Sequence, residues 1–174
     1  MDLKEYIRSI PDYPKKGILF RDITTLIKNE KAFEETVNQI IERSKKYKVN
    51  KIAAIESRGF VFASAVSYLL KKPFIMLRKK NKLPADVHSV DFELEYGTAT
   101  IEVHKDSINE KDNVLIIDDL IATGGTAEAA AKLVEISKGK VAAFVFVINL
   151  FDLGGSDNLV KNNYNVENLI EFPG

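Results

Sequence analysis

The stretch Val114-Leu115-Ile116-Ile117-Asp118-Asp119-Leu120-Ile121-Ala122-Thr123-Gly124-Gly125-Thr126 decides how the rest of the chain is read. Its opening run of branched apolar residues suits a strand buried on both faces, and that strand delivers two adjacent carboxylates to a small-residue turn. Alanine-rich sequence then continues over about 126–137, which predicts a helix. Working outward, short apolar runs at 52–55, 74–77 and 141–148 predict three more strands. Between them, Phe62, Val66, Leu69 and Leu70 form the inward stripe of a helix after Gly59. Phe33, Val37, Ile40 and Ile41 do the same for a helix over about 31–47. Strands alternating with helices at this spacing predict an α/β fold with a mostly parallel central sheet, flanked by helices and wound with right-handed crossovers. Sheets of that kind bind ligands beyond the carboxyl ends of their strands.

The flanking sequence is less regular. Leu3, Ile7 and Ile10 recur at helical spacing after Asp2, predicting a short helix ended by Pro11 and Pro14, and residues 15–29 read as extended or irregular. Residues 77–92 are polar and without periodicity, which predicts a functional lid or mobile loop. Residues 92–103 suggest an antiparallel pair outside the main sheet. No repeat or linker divides the chain, so one domain is expected over 1–174.

Composition excludes several classes of function. Lys+Arg and Asp+Glu both number 25, and a neutral chain does not suit a protein whose main partner is a nucleic acid. Without cysteine there is no disulfide scaffold, thiolate metal site or thiol nucleophile, and a cytoplasmic home is expected. The longest uncharged apolar run, residues 141–151, falls short of the ~20 residues a bilayer-spanning helix needs, so no membrane partner is expected. The acids in Met1-Asp2-Leu3-Lys4-Glu5 do not suit an export signal. A chain of this length buries roughly 70% of its unfolded surface and needs no staple.

The Asp118–Thr126 segment carries the most chemical information. Turn amides at a helix N-terminus cradle a phosphate dianion, with the Thr123 and Thr126 hydroxyls as further donors. Asp118 and Asp119 would repel that phosphate on contact, but they suit vicinal hydroxyls, as on a ribose, and a Mg²⁺ accompanying a polyphosphate. The Gly-Lys-Ser/Thr ending of a P-loop and the G-x-G-x-x-G of a dinucleotide fold are both missing, which disfavours a kinase, GTPase or dehydrogenase. An ordinary strand-to-helix loop is the bland alternative. A second segment, Glu56-Ser57-Arg58-Gly59-Phe60, offers a guanidinium fork for phosphate oxygens and a glycine for close approach, or else a local Glu56–Arg58 ion pair. A third, Arg78-Lys79-Lys80-Asn81-Lys82-Leu83-Pro84, is either a solvated basic patch or a set of mobile cations for an anionic leaving group.

Together these segments resemble the type I phosphoribosyltransferases, whose signature binds phosphoribosyl pyrophosphate (PRPP). The resemblance implies that Asp118 and Asp119 hold the ribose hydroxyls and Mg²⁺, and that Ala122, Thr123, Gly124, Gly125 and Thr126 hold the 5-phosphate. It also implies that Ser57, Arg58, Gly59, Arg78, Lys79 and Lys82 meet the pyrophosphate. Leu94-Glu95-Tyr96-Gly97-Thr98, Gly17-Ile18-Leu19-Phe20-Arg21-Asp22-Ile23 and Asn149-Leu150-Phe151-Asp152-Leu153-Gly154-Gly155 are similar to the adenine-using members. That similarity implies proton exchange with the purine N7 by Glu95, Tyr96 at the loop end of the site, Phe20 and Leu150 on the faces of adenine, and backbone groups of Leu19 and Arg21 at its edge.

Ala122 replaces the aspartate that 6-oxopurine members carry, and Asn81 stands where relatives often have glycine. The implied fold adds a small cap, or hood, drawn from about 1–30 and 149–174. The implied activity is purine salvage: adenine and PRPP become AMP and pyrophosphate, with Mg²⁺, in a homodimer. A xanthine-using enzyme or a non-catalytic PRPP-sensing regulator are the alternatives, and the latter wants a DNA-binding module. His88 and His104 receive no role.

Overall fold

The computed structural model describes residues 1–94 and 97–174. The apolar run at 114–117 lies in β7 (Asn113–Ile121), between β3 (Lys51–Ile55) and β8 (Lys140–Leu150), all parallel. β4 (Phe74–Lys79) lies parallel beside β3, and β9 (Val166–Phe172) lies parallel beyond β8. β5 (Val87–Leu94) and β6 (Gly97–His104) pair antiparallel, and β6 joins β4, giving a seven-stranded sheet in the order β5-β6-β4-β3-β7-β8-β9.

Side chains alternate across the sheet, so the central parallel strands feed two cores. Ile52, Ala54, Leu115, Ile117 and Val145 face α2 (Glu30–Ser44) and α3 (Arg58–Leu70). Ala53, Ile116, Phe144 and Phe146 face α4 (Gly125–Ile136) and α5 (Gly155–Lys161). Phe62, Phe144 and Phe146 are fully buried, and each contributes roughly 1.5–3 kcal/mol by leaving water. The start of α2 is fixed by Asn29, whose side chain accepts the Ala32 N–H at 3.0 Å.

Four expectations change. The N-terminal helix is a 3-10 turn, Leu3–Tyr6, and the chain then forms β1 (Arg8–Pro11), which pairs antiparallel with β2 (Leu19–Asp22). Helical spacing of Leu3, Ile7 and Ile10 is overridden by this pairing, which local sequence cannot register. A short helix, α1 (Thr24–Ile27), follows within the stretch read as irregular. Residues 77–92 are not one long loop, because β4 runs to Lys79 and β5 starts at Val87, leaving only 80–86 between them. The antiparallel pair extends the main sheet rather than lying outside it.

The C-terminal stretch contributes a 3-10 turn (Phe151–Leu153), α5 and an edge strand of the main sheet. The polar residues that disguise β9 in the sequence are each engaged. Glu167 accepts from Tyr47 at 2.5 Å and pairs with Lys46 at 2.9 Å, and Glu171 accepts from Asn149 at 2.9 Å. The β1–β2 pair leans on this end of the sheet, with the Arg21 guanidinium 4.3 Å from the centre of the Phe172 ring.

Candidate active site

The parallel pairing of β3 with β7 sets two chain segments side by side at one end of the sheet: residues 56–58 after β3, and residues 118–126 at the end of β7 and the start of α4. Between them lies a cleft of about 430 Å³, lined by both segments together with Lys79, Glu93 and Leu94, and floored by Ile55 and Phe146. Gly124 adopts φ +93° and α4 begins with no side-chain cap, which leaves the first-turn N–H groups to whatever anion enters the cleft. The Gly155 N–H donates to the Ala122 carbonyl at 3.1 Å, and a Cβ on Gly124 would sit 3.1 Å from the Gly155 Cα, so the start of α5 braces this turn.

Asp119 is buried and accepts from Arg58 Nε at 2.7 Å. Asp118 Oδ1 accepts the Asp119 N–H at 2.8 Å, and a Cβ on Gly59 would meet the same oxygen at 2.9 Å, so α3 can start this close to β7 only with glycine there. Withdrawal from solvent and the neighbouring Asp119 carboxylate push the Asp118 carboxyl well above the usual carboxylate range. Asp119, above all, raises the Arg58 guanidinium, which also lies 6.0 Å from the Phe20 ring centre.

Arg58 turns to Asp119 rather than to Glu56. Glu56 Oε1 instead accepts from Arg78 Nε at 3.2 Å and from the Lys79 N–H at 2.7 Å, tying the turn after β3 to the root of the basic segment. The sequence-predicted residues therefore separate into groups. Asp118, Asp119, Ala122, Thr123, Gly124, Gly125, Thr126, Ser57, Arg58 and Lys79 line one cleft, Gly59 packs against Asp118 behind it, and Arg78 and Lys82 do not line it. Leu19, Phe20, Arg21 and Leu150 do not line that cleft. Leu19, Phe20 and Arg21 lie in the β1–β2 cap, where Phe20 stacks edge-on with Tyr13 at 5.1 Å, and Leu150 ends β8. Glu95 and Tyr96 lie outside the described residues.

Glu93 and Leu94 were missed as cleft residues, although their place beside Glu95 was a usable signal. The brace from Gly155 was missed too, and the Gly154-Gly155 pair was its only local sign. Asp118 and Asp119 present hard oxygen donors of the kind Mg²⁺ takes. No third His, Cys, Asp or Glu joins them among the described residues, so a cation held there would draw its other ligands from substrate and water.

Residues 23–172 match the family described as phosphoribosyl transferase domain. The chain is 84% identical over 174 residues to an adenine phosphoribosyltransferase of Pelagibacter ubique, covering 100% of this chain and 99% of that protein. The fold superposes with a TM-score of 0.94 on adenine phosphoribosyltransferase from Thermoanaerobacter pseudethanolicus, at 44% identity and 98% coverage of both chains. On the Giardia lamblia enzyme complexed with 9-deazaadenine, the TM-score is 0.93 at 32% identity, covering 99% of this chain and 97% of that one. Likeness over the whole length, in sequence and in fold, decides the matter: the chain belongs to the phosphoribosyltransferase family, among the adenine phosphoribosyltransferases.

Proposed function

We propose that the protein transfers the 5-phosphoribosyl group of PRPP to adenine, forming AMP and releasing pyrophosphate. The observation that carries this reading is the uncapped start of α4 set opposite Arg58 across one cleft, with Asp118 and Asp119 between them. The first-turn amides of α4 and the Thr123 and Thr126 hydroxyls take the 5-phosphate, anchoring one end of the sugar. Asp118 and Asp119 accept from the ribose hydroxyls and hold Mg²⁺ in company with substrate oxygens. Bound there, Mg²⁺ would offset charge that builds on the departing pyrophosphate.

Arg58 is held by Asp119 on one side, so its remaining N–H groups are preoriented toward the cleft rather than free to wander. Ser57 and Lys79 join it against the pyrophosphate, with Arg78 near the end of β4 and Lys82 in the loop that follows adding positive charge. Adenine lies between Phe20 and Leu150, read at its edge by backbone groups of Leu19 and Arg21, and the cap that carries Phe20 reaches the cleft through Arg58. Glu95 exchanges a proton with the base while N9 attacks the ribose, and Tyr96 closes the loop end. The cleft-lining position of Glu93 and Leu94, just before Glu95 in the chain, supports this assignment.

No described helix is long and apolar enough to cross a membrane, and we place the enzyme in cytoplasmic purine salvage as a homodimer. Exposed Tyr68 and Leu69 at the end of α3 support a second copy. The deciding experiment offers PRPP and Mg²⁺ with adenine, hypoxanthine, guanine or xanthine and follows pyrophosphate release. Release with adenine alone is expected. Turnover of xanthine, or PRPP binding without turnover of any base, would overturn the reading.

A further inference from the structure

Glu102 is a charged residue buried in an edge region of the sheet, only 6% exposed, and nothing in the proposed chemistry uses it. It stands on β6 with Arg78 opposite it on β4 and Ser89 opposite it on β5, so the three side chains share one face. Its carboxylate accepts from Ser89 Oγ at 2.5 Å and from the Asn81 N–H at 2.9 Å. The second bond fixes the first turn of the 80–86 loop, where Asn81 adopts φ +67°. Two residues further along β6, His104 Nε2 accepts the Ala85 N–H at 3.2 Å, so the same strand holds the loop at both ends.

The basic segment needs such a mount. Arg78, Lys79, Lys80 and Lys82 crowd four like charges into five residues at the end of β4 and the start of the loop, and their mutual repulsion favours splayed conformations in which they face different ways. A buried carboxylate beneath Asn81, together with Glu56 beneath Arg78 and Lys79, offsets that repulsion from the side away from solvent. The cations can then converge on a single anion.

We propose that Glu102 is a positioning residue for the pyrophosphate end of the substrate: it fixes Asn81, and through it the direction in which the basic loop presents its cations. The proposal rests on the reading of the cleft as a PRPP site. It predicts a selective defect, since the base sits against the β1–β2 cap rather than against this loop.

The test compares the parent with Glu102→Gln and with Ser89→Ala. Pyrophosphate binding is measured by calorimetry in the presence of Mg²⁺, and KM is measured separately for PRPP and adenine. Glu102→Gln is expected to weaken pyrophosphate binding and raise the PRPP KM by about tenfold, the usual scale for a lost hydrogen bond to a charged group, with the adenine KM within about twofold of the parent. Ser89→Ala, which removes the hydroxyl that donates to Glu102, should move both pyrophosphate readouts the same way and less, at a small cost in Tm. A lower Tm with parental pyrophosphate affinity would make Glu102 merely structural and overturn the proposal. Tighter pyrophosphate binding would also overturn it, because Glu102 would then act only as a repelling charge. If the parent binds pyrophosphate yet turns over no base, the functional reading fails while the calorimetric comparison still decides the role of Glu102.

Discussion

At Asp118 the needs of the site and the needs of the fold oppose each other. Its carboxyl is drawn away from solvent and set beside the Asp119 carboxylate, and both effects favour the protonated form. A group whose pKa is raised in the folded state stabilises fully below its unfolded value, and that contribution is lost as pH rises through the folded one. Ionising Asp118 beside Asp119 in the folded chain therefore costs stability, which a cation or a hydrogen-bonding ligand would repay. Asp118→Asn keeps an acceptor for the Asp119 N–H and removes the charge. It should raise Tm by about 2–4 °C for each kcal/mol recovered, while AMP formation collapses. Thermal melts and initial rates on the same preparation check both halves, and a variant that is less stable as well as less active would refute the conflict. The carboxylate pair was legible in the sequence, as was the phosphate turn, because both chemistries lie in consecutive residues. The Arg58–Asp119 bond was not, because its partners are far apart in the chain and Glu56 offered a nearer candidate. Asn81 was legible as a departure from glycine, and its left-handed backbone gives the reason: asparagine tolerates that region better than most side chains do.

The elements that sequence revealed are those whose pattern is local. β3, β7 and β8 are continuous apolar runs, and α2 and α3 carry apolar stripes at helical spacing. β1, β5 and β9 were hidden, because edge and cap strands are half exposed and their polar residues are satisfied by distant partners such as Tyr47 for Glu167. The same limit concealed how α5 serves α4. Gly155 lies so close to the turn before α4 that a Cβ there would approach Gly124 N to 2.8 Å and crowd the Ala122 carbonyl. Gly155→Ala should therefore cost about 1–3 kcal/mol as an overpacked contact. Because the yielding part is the anion turn, the PRPP KM should rise more than the adenine KM. Urea midpoints and the two KM values test this, and equal changes in both KM values would mean that the damage is general rather than confined to the turn.

Across the whole molecule, stability depends on pH through buried carboxylates, and in the cap the contacts of one of them tie β1, β2 and α1 together. Asp22, at the end of β2, is 6% exposed and accepts from Thr24 Oγ1 at 2.7 Å and from Arg8 Nη2 at 2.6 Å. The Thr24 hydroxyl bond, followed by the Arg8 contact, holds its carboxyl down from the ordinary 3.8 to about 2 against the opposing effect of burial. For a carboxyl held down in the folded state, the contribution is complete above the unfolded value and disappears as pH falls through the folded one. Here that window runs from about pH 4 to pH 2, and the contribution at neutral pH is on the order of 2 kcal/mol. Other carboxylates are also held below their ordinary values. Glu102 is held down chiefly by Ser89; at Asp112 and Glu167 burial pushes upward most strongly, but the hydrogen bonds and charges of Lys51, Asn109 and Asn50, and of Tyr47, Lys46 and Arg43, together outweigh it. Acid unfolding of the parent alone therefore cannot isolate Asp22, but its difference from Asp22→Asn can, since the other groups are common to both proteins. Chemical denaturation at pH 7, 4, 3 and 2 should give a variant less stable by about 1–2 kcal/mol at pH 7, with the gap closing toward zero at the acid end. A gap that stays constant down to pH 2 would show that the neutral hydrogen bonds, rather than the charge on Asp22, tie β2 to β1 and α1.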